Sequence, residues 1–369
     1  MQRVLVFGMT ENPGGVESFL MNYYRLINRD KIQFDFLCNS HNPIAYEDEI
    51  LSLGGRTFHI IARSKNIVKY KKELEKVFRE NSDSWNAIWV NLNSLANIDY
   101  LKIALKYGVA KRIVHSHNSQ NMDSQLRAVL HEYNKKRINY LATDFWACSM
   151  EAAKWFYDDR VIRNVKIIHN AIDVDKYKFS QEKRELIREE YGLGNKFVIG
   201  NIGRLHFQKN QSFVIDVFKK YYSRHPESML ILVGQGEDES ILKNKANELG
   251  LNNKVIFAGV QRDIQAWLSA FDLFLFPSKF EGLSISALEA QANGLMVIAS
   301  KDVIPKETRI CDNFFFFDLN NDAEYWASKT DDLLKNIVRI PYSNVLKNFN
   351  NKGYNICNEV GNLENLLLG

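Results

Sequence analysis

Short apolar runs alternate along the whole chain with longer segments in which apolar residues recur every three or four positions. This alternation is typical of a parallel β-sheet covered by helices. The segments 15–26, 68–79 and 126–141 have the helical pattern. The predicted strands are residues 4–7, 33–37, 57–61, 87–90, 112–115, 144–148, 197–202, 229–233, 255–257, 273–276 and 296–299.

The pattern restarts after Asn170-Ala171-Ile172-Asp173, where polar, helix-rich sequence begins. A chain of 369 residues is long enough for two domains. We therefore predict an α/β protein with two Rossmann-like, doubly wound domains, residues 1–175 and 176–340. Residues 341–369 are predicted to form a helical segment that packs back on the body. Sheets of this kind bind ligands at the carboxyl ends of their strands, here in a shared cleft.

The same pattern excludes several classes of protein. No apolar stretch approaches the roughly 20 residues of a membrane-spanning helix. The apolar run after the N-terminus is also shorter than the ~7–15 residues of a secretory signal, which predicts a cytoplasmic protein. The four cysteines lie far apart without a Cys-x-x-Cys pair, which argues against a zinc ribbon and a redox pair.

Charge is unevenly distributed although the net charge is only +4. Residues 56–112 hold 12 basic and 5 acidic side chains. One interpretation is a basic face for an anionic membrane or a lipid phosphate, and the other is an ordinary solvated helix surface. No nucleic-acid recognition motif accompanies the basic stretch.

The first candidate motif, Gly14-Gly15-Val16-Glu17, follows the first predicted strand and opens a helix. Free N–H groups at such a helix start attract phosphate, and glycine allows the ligand to approach the backbone. A plain strand-to-helix turn is the alternative.

The second motif, His115-Ser116-His117-Asn118, lies at the end of the fifth predicted strand. Residues two apart on a strand share a face. The histidines could be structural, could bind a polar ligand at the cleft, or could bind a metal, although no third ligand lies at a suitable spacing.

The third motif, residues 203–210, contains Arg204 and Lys209 between a strand and a helix. Two cations beside a helix N-terminus can hold a diphosphate, and two ordinary surface side chains are the alternative. A further glycine turn, Val233-Gly234-Gln235-Gly236-Glu237, follows the next strand.

The fourth motif, residues 280–289, places Glu281 in a loop and Glu289 in the helix that follows, with Ser284 or Ser286 as the helix cap. A phosphate bound to the free N–H groups of the helix start would leave Glu281 near one end of the ligand and Glu289 near the other. Carboxylates of this kind accept hydrogen bonds well from sugar hydroxyl groups. Two acids stabilised by the helix dipole are the alternative.

In this order the motifs resemble those of glycosyltransferase family 4, which has the two-domain GT-B fold and a retaining mechanism. Glu281 and Glu289 match the Glu-x7-Glu motif, and Arg204 and Lys209 match the diphosphate-binding pattern. The segments His115-Ser116-His117-Asn118 and Ile304-Pro305-Lys306-Glu307 are most similar to those of bacterial exopolysaccharide and capsule enzymes. Ser284 departs from the glycine or proline that is common in the family.

The resemblance implies a role for each matching residue. Arg204 and Lys209 would hold the donor diphosphate, Glu281 the donor sugar and Glu289 the ribose. His117 would contact the donor sugar and help to place the acceptor. The remaining donor-binding residues implied are Gly15, Leu283, Ser284 and Ile285.

The resemblance also implies the reaction. The donor would be a nucleotide sugar with UDP as the expected nucleotide, and the acceptor would be a saccharide or a lipid-diphosphate-linked saccharide at the inner face of the membrane. No metal or other cofactor is expected. The alternatives are a non-catalytic scaffold or binding subunit with the same fold, and a nucleotide-sugar epimerase or hydrolase.

Overall fold

The computed structural model describes residues 1–118, 125–281, 283–335 and 338–369. The chain divides into two compact units. The N-terminal unit comprises Met1–Ala171 together with Ile356–Gly369, and the C-terminal unit comprises Ile172–Asn355. The division after Ala171 lies four residues before the predicted boundary at 175. The predicted segment 341–369 is shared between the two units, because its second half belongs to the N-terminal one.

A seven-stranded parallel sheet forms the centre of the N-terminal unit. Its strands are β1 (Gln2–Phe7), β2 (Ile32–Cys38), β3 (Arg56–His59), β4 (Ala87–Leu92), β5 (Lys111–Ser116), β6 (Asp144–Ala147) and β7 (Lys166–Ile167). They lie in the order β3-β2-β1-β4-β5-β6-β7. Strands β2 and β4 are buried along their whole length, as expected for a sheet that is covered on both faces.

Helices cover both faces of this sheet. Leu74, Ala104 and Ile138, from three different helices, belong to one hydrophobic core with strand residues such as Leu5. On the other face, the helix residue Phe19 packs edge-on against Trp89 of β4, at 5.7 Å between ring centroids. The helices of the unit are α1 (Gly15–Leu26), α2 (Glu47–Ser52), α3 (Ile67–Asn81), α4 (Asp99–Lys106), α5 (Gln125–Leu141), α6 (Met150–Phe156), α7 (Asp159–Ile162) and, from the end of the chain, α16 (Ile356–Leu368).

Helix α16 is an integral part of the N-terminal unit. Leu363 and Leu367 are buried, and the helix packs against α1. The Glu364 carboxylate accepts a hydrogen bond from the Asn28 backbone N–H at 2.6 Å, and the Lys111 ammonium donates to the Leu366 carbonyl at 2.5 Å. This unit is therefore built from two separate stretches of the chain.

The C-terminal unit repeats the plan with a six-stranded parallel sheet in the order β10-β9-β8-β11-β12-β13. Its strands are β8 (Phe197–Ile202), β9 (Ser228–Val233), β10 (Val255–Gly259), β11 (Leu273–Phe276), β12 (Met296–Ser300) and β13 (Phe314–Phe317). Its helices are α8 (Val174–Tyr177), α9 (Gln181–Glu190), α10 (Gln211–Arg224), α11 (Glu239–Glu248), α12 (Ile264–Ala270), α13 (Ile285–Ala292), α14 (Ala323–Leu334) and α15 (Tyr342–Lys352). Leu230 and Ile298 of the sheet share a core with Phe218 of α10 and Trp326 of α14.

Two parallel, helix-covered sheets confirm the predicted fold class. Strands β7 and β13 were not predicted. Strand β7 has only two residues and is too short to have a periodicity. Strand β13 is an apolar run of four phenylalanines, and a short run of this kind does not distinguish a strand from a buried helical turn.

No helix within the described residues is both long enough and apolar enough to cross a membrane. All four cysteines lie in the described residues, and none forms a disulfide. Cys38, Cys148 and Cys311 are buried, and Cys357 is exposed.

Candidate active site

The loop after β8 carries Arg204 and Lys209, and the glycine turn after β9 holds it in place. A Cβ atom on Gly234 would lie 2.1 Å from the Gly203 carbonyl oxygen, and one on Gly236 would lie 2.1 Å from the Leu205 carbonyl oxygen. The Leu205 N–H donates to the Gln235 carbonyl at 3.1 Å. Any side chain at either glycine would push the two loops apart, so this turn sets the position of the Arg204 loop.

The same loop is also joined to the loop after β11. The Gln208 side-chain amide donates to the Phe280 carbonyl at 3.0 Å, and the Lys279 N–H donates to the Gln208 carbonyl at 2.8 Å. Asn210, in the left-handed conformation at φ 58°, donates from its side chain to the Pro277 carbonyl at 3.1 Å. These bonds bring together two loops that are about 70 residues apart in sequence.

Lys209 and Glu281 form an ion pair at this junction. The Lys209 Nζ lies 2.6 Å from the Glu281 Oε1, and the two side chains are only 18% and 8% exposed. The ammonium also lies 5.1 Å from the centroid of the Phe276 ring. Shielding from water strengthens the attraction between the two charges and the cation–π contact. The structure thus brings together one cation and one carboxylate from two different motifs.

Arg204 has a different environment from Lys209. Its side chain is 70% exposed, and its guanidinium lies 3.0 Å from the Glu237 carboxylate. The other oxygen of Glu237 lies 3.2 Å from the His206 Nε2. Glu237 was noted in the sequence only as the end of a glycine turn, and no spacing rule connects it with an arginine 33 positions earlier.

Glu289 lies in helix α13 (Ile285–Ala292), partly buried. Burial raises the pKa of this carboxyl to about 7, and a hydrogen bond from Tyr177 partly opposes the shift. Tyr177, at the end of α8, is a neighbour that the sequence did not indicate. Glu289 therefore keeps its proton to a higher pH than an ordinary glutamate does.

Ser284 is the N-cap residue of helix α13, but its side chain makes no capping hydrogen bond. Its hydroxyl lies 3.1 Å from the Ser286 hydroxyl instead. Ser284 thus occupies the cap position that was expected for it or for Ser286, but without the side-chain bond to a backbone N–H that usually accompanies this position. The candidate residues Leu283, Ser284 and Ile285 are all largely buried at this helix start.

In the N-terminal unit, the glycine motif lies at the start of α1. Gly15 is exposed, and a Cβ placed on it would meet open space. The buried Glu17 accepts hydrogen bonds at one oxygen from the Thr10 N–H at 3.1 Å and the Thr10 hydroxyl at 2.6 Å. A carboxylate in the first turn thus ties the loop before the helix to the helix itself.

His117 follows the end of β5, and its Nε2 lies 2.8 Å from the Asn91 Oδ1 of β4. Burial lowers the pKa of His117 to about 3, so its ring is neutral. His115 is fully buried, with its ring centroid 4.1 Å from that of His117. Asn91 carried no sequence signal, because its importance depends on the pairing of β4 with β5.

The described part of the chain contains no group of three or more His, Cys, Asp or Glu side chains that could hold a metal ion. The sequence has one Asp-x-Asp pair, Asp173 and Asp175, and both members have structural partners. Asp173 caps α8 by accepting from the Lys176 N–H at 3.1 Å, and Asp175 accepts from the Tyr342 hydroxyl at 2.6 Å.

The sequence of the C-terminal unit is similar to a known family. Residues 183–355 match the family described as glycosyl transferases group 1. The matched stretch lies entirely within the C-terminal unit, Ile172–Asn355. The match covers both loops that hold Lys209 and Glu281.

Relatives extend the similarity over most of the chain. It is 29% identical over 315 residues to the putative glycosyltransferase EpsF of Bacillus subtilis, which covers 83% of this chain and 80% of that protein. It is 23% identical to an Escherichia coli protein named UDP-Gal:alpha-D-GlcNAc-diphosphoundecaprenol alpha-1,3-galactosyltransferase, over 96% of this chain and 93% of that one. These relatives and the domain confirm the expectation of a glycosyltransferase enzyme.

Solved structures share the fold. HepE of Anabaena, crystallised with UDP, superposes with a TM-score of 0.80 over 100% of this chain and 99% of its own, at 19% identity. WaaG, described as a glycosyltransferase involved in lipopolysaccharide biosynthesis, gives a TM-score of 0.73 over 99% of this chain and 100% of its own, at 14% identity.

Proposed function

We propose that the protein is a retaining glycosyltransferase of family 4 that transfers a sugar from a UDP-sugar to a saccharide acceptor in bacterial exopolysaccharide or capsule synthesis. The observation that carries the proposal is the Lys209–Glu281 pair at the carboxyl edge of the C-terminal sheet. It places one cation and one hydrogen-bond acceptor next to each other in a water-poor site.

The chemistry of transfer fits these charges. Breaking the sugar–phosphate bond builds negative charge on the leaving diphosphate, and Lys209 and Arg204 would stabilise that charge most strongly in the transition state. Glu281 would accept hydrogen bonds from sugar hydroxyls, and Glu289 from the ribose. The backbone at Leu283, Ser284 and Ile285 would complete the phosphate site, and Gly15 and His117 would serve the sugar and acceptor side.

Two further parts of the proposal rest on similarity. A UDP donor is supported by the UDP complexes of HepE and by the name of the E. coli relative. Front-face attack, with a donor phosphate oxygen taking the proton of the acceptor, is what family 4 implies, and it requires neither a metal nor a protein nucleophile.

For the acceptor we propose a lipid-diphosphate-linked saccharide, reached by peripheral contact with an anionic membrane. Helix α5 supports this, because it buries His131 and Asn134 while Leu126, Val129 and Tyr133 are exposed to solvent. Exposed Tyr and aliphatic side chains next to basic ones suit the membrane interface. Further basic side chains, Lys71, Lys72 and Lys76, are exposed on α3.

The donor is tested by incubating the purified protein with UDP-glucose, UDP-galactose, UDP-N-acetylglucosamine and GDP-mannose and measuring nucleotide release and thermal shift. We expect release from a UDP-sugar, lost in Arg204→Ala and in Glu281→Ala. Arg224→Ala is the matched control, since Arg224 is an ion-paired arginine at the other end of α10. The proposal would be contradicted if none of the four donors bound to the protein and none released its nucleotide. The anomeric configuration of the product tests retention.

Membrane contact is tested by co-sedimentation with vesicles of phosphatidylglycerol and of phosphatidylcholine. We expect binding to the anionic vesicles alone, weakened by the double change Val129→Ser and Tyr133→Ser. Tyr325→Ser, an exposed tyrosine of the C-terminal unit, is the control. Equal sedimentation of the double variant and the control would contradict the role of α5.

A further inference from the structure

The side-chain amide of Asn91 has a defined orientation. Asn91 is buried near the end of β4. Its Nδ2 lies 3.1 Å from the Phe7 carbonyl oxygen and 3.4 Å from the Trp89 carbonyl oxygen. Carbonyl oxygens only accept hydrogen bonds, so the NH2 group must face them. The Asn91 Oδ1 is therefore directed the other way, toward His117.

This orientation decides which nitrogen of His117 carries the proton. The amide oxygen of Asn91 can only accept, so the Nε2 at 2.8 Å must be protonated. The ring is neutral, because burial lowers the pKa of His117 to about 3. Nδ1 is therefore left with an unprotonated lone pair. No side chain or backbone group in the described residues makes a hydrogen bond with this Nδ1, and the His117 side chain is partly exposed.

His115, whose ring lies next to that of His117, carries no positive charge. The Trp89 Nε1–H donates to the His115 Nδ1 at 3.3 Å. Burial lowers the pKa of His115 well below its ordinary value, so that this ring is also neutral. Phe19 packs edge-on against His117 at 4.9 Å between centroids. Among the described residues, the rings of His115 and Phe19 that pack against His117 thus add no cation, and His117 itself presents a hydrogen-bond acceptor at Nδ1.

We propose that Asn91 is a positioning residue that holds His117 as the Nε2–H tautomer, so that Nδ1 accepts a hydrogen bond from a hydroxyl group of the sugar being transferred. A phosphate oxygen that is ionised has no proton to donate to this lone pair, so His117 selects hydroxyl over phosphate. This inference rests on the proposed function for the identity of its ligand. The tautomer itself follows from contacts within the N-terminal unit.

The first experiment needs no ligand. Protein labelled with 15N-histidine is studied by long-range 1H–15N correlation at pH 7, and the His117 signals are assigned by their loss in His117→Gln. We expect a protonated Nε2 and an unprotonated Nδ1. A protonated Nδ1 with an unprotonated Nε2, or protonation of both, would overturn the proposal.

The second experiment changes Asn91 to Asp. The carboxylate would still accept from Nε2–H but would favour the imidazolium, so that Nδ1 becomes a donor. We expect both nitrogens of His117 to be protonated at pH 6, and kcat/KM for UDP-glucose or UDP-galactose to fall about tenfold, the effect of one hydrogen bond. The control is Asn134→Asp, a buried asparagine of the same unit that donates to the Leu95 carbonyl at 2.8 Å.

The sugar ligand of His117 and the positioning role of Asn91 are contradicted by different results. Wild-type protein with the expected tautomer but without turnover of any UDP-sugar would overturn the sugar ligand and the proposed function together. An Asn91→Asp variant that keeps the wild-type kcat/KM and an unprotonated Nδ1 would overturn the positioning role alone. If that variant does not fold, the wild-type spectrum decides the tautomer.

Discussion

The two units place their candidate residues at the same edge of similar sheets but differ in how those residues carry charge. In the C-terminal unit, Lys209 and Glu281 are charged and compensate each other at 2.6 Å. In the N-terminal unit, His117 and Asn91 are neutral and are joined by a hydrogen bond at 2.8 Å.

This difference shows how burial determines whether a side chain at the sheet edge is charged or neutral. A buried charge is tolerated when a partner of opposite sign is close, whereas a buried histidine without such a partner loses its proton. The charged edge suits a diphosphate, and the neutral edge suits hydroxyl groups. Strand order alone does not distinguish the two edges, so their chemistry depends on individual side chains.

The largest effect is expected from separating the charged pair. Lys209→Met leaves the Glu281 carboxylate buried without its cation, which costs about 3–5 kcal/mol of unfolding free energy. Glu281→Gln added to Lys209→Met should recover most of that loss, while donor turnover stays at least about 100-fold below wild type. Urea unfolding measures the free energy of unfolding, and nucleotide release measures donor turnover. If the double variant lost as much unfolding free energy as the two single variants together, Lys209 and Glu281 would not be coupled.

The next effect is a pH dependence of stability at Glu289. Its pKa is raised in the folded state from the ordinary value of 4.5 to about 7, so the folded protein binds the extra proton and this group favours folding as pH falls from about 7 to about 4.5. Glu289→Gln stays neutral throughout. Relative to wild type it should therefore gain up to about 3 kcal/mol of stability between pH 4.5 and pH 8. Urea titrations of both proteins at the two pH values test this, and a constant difference would contradict the buried, protonated state.

A smaller effect is expected at the neutral edge. His117→Gln removes one acceptor, so kcat/KM should fall about tenfold. Since burial lowers the pKa of His117 to about 3, the ratio of wild type to variant should stay constant from pH 5 to pH 8. His225→Gln, at an exposed histidine of the C-terminal unit, serves as the control. A ratio that changes around pH 6–7 would mean that His117 titrates during turnover.

The smallest effect is expected at the exposed pair of Arg204 and Glu237. Both side chains are largely in solvent, where ion pairs are weak and screened by salt. Glu237→Gln should leave the thermal unfolding midpoint unchanged and alter the KM for the donor by less than about threefold. Thermal melts and initial rates at low and high salt measure this. A large loss of stability would place Glu237 among the buried pairs.

The sequence predicted the fold better than the contacts of the site. Eleven predicted strands correspond to strands of the two sheets, because buried parallel strands are continuous apolar runs. Lys209 and Glu281 were each singled out, and the structure places them in contact. Their roles in the reaction remain predictions.

The residues that the sequence did not indicate are partners. Asn91 contacts His117, Glu237 contacts Arg204, and Tyr177 contacts Glu289. Each pair joins segments that are 26 or more positions apart. Local patterns contain no information on such pairs, because the partner is determined by which strands and loops become neighbours after folding.

The placement of helix α16 has a consequence for the order of events during synthesis. The N-terminal unit is translated first, yet the helix that covers part of α1 is encoded after the entire C-terminal unit. Domains generally fold as they emerge from the ribosome. Until residues 356–369 emerge, this unit lacks the buried Leu363 and Leu367 and leaves apolar surface open to chaperones. The second unit to be translated can therefore be the first to reach its complete fold.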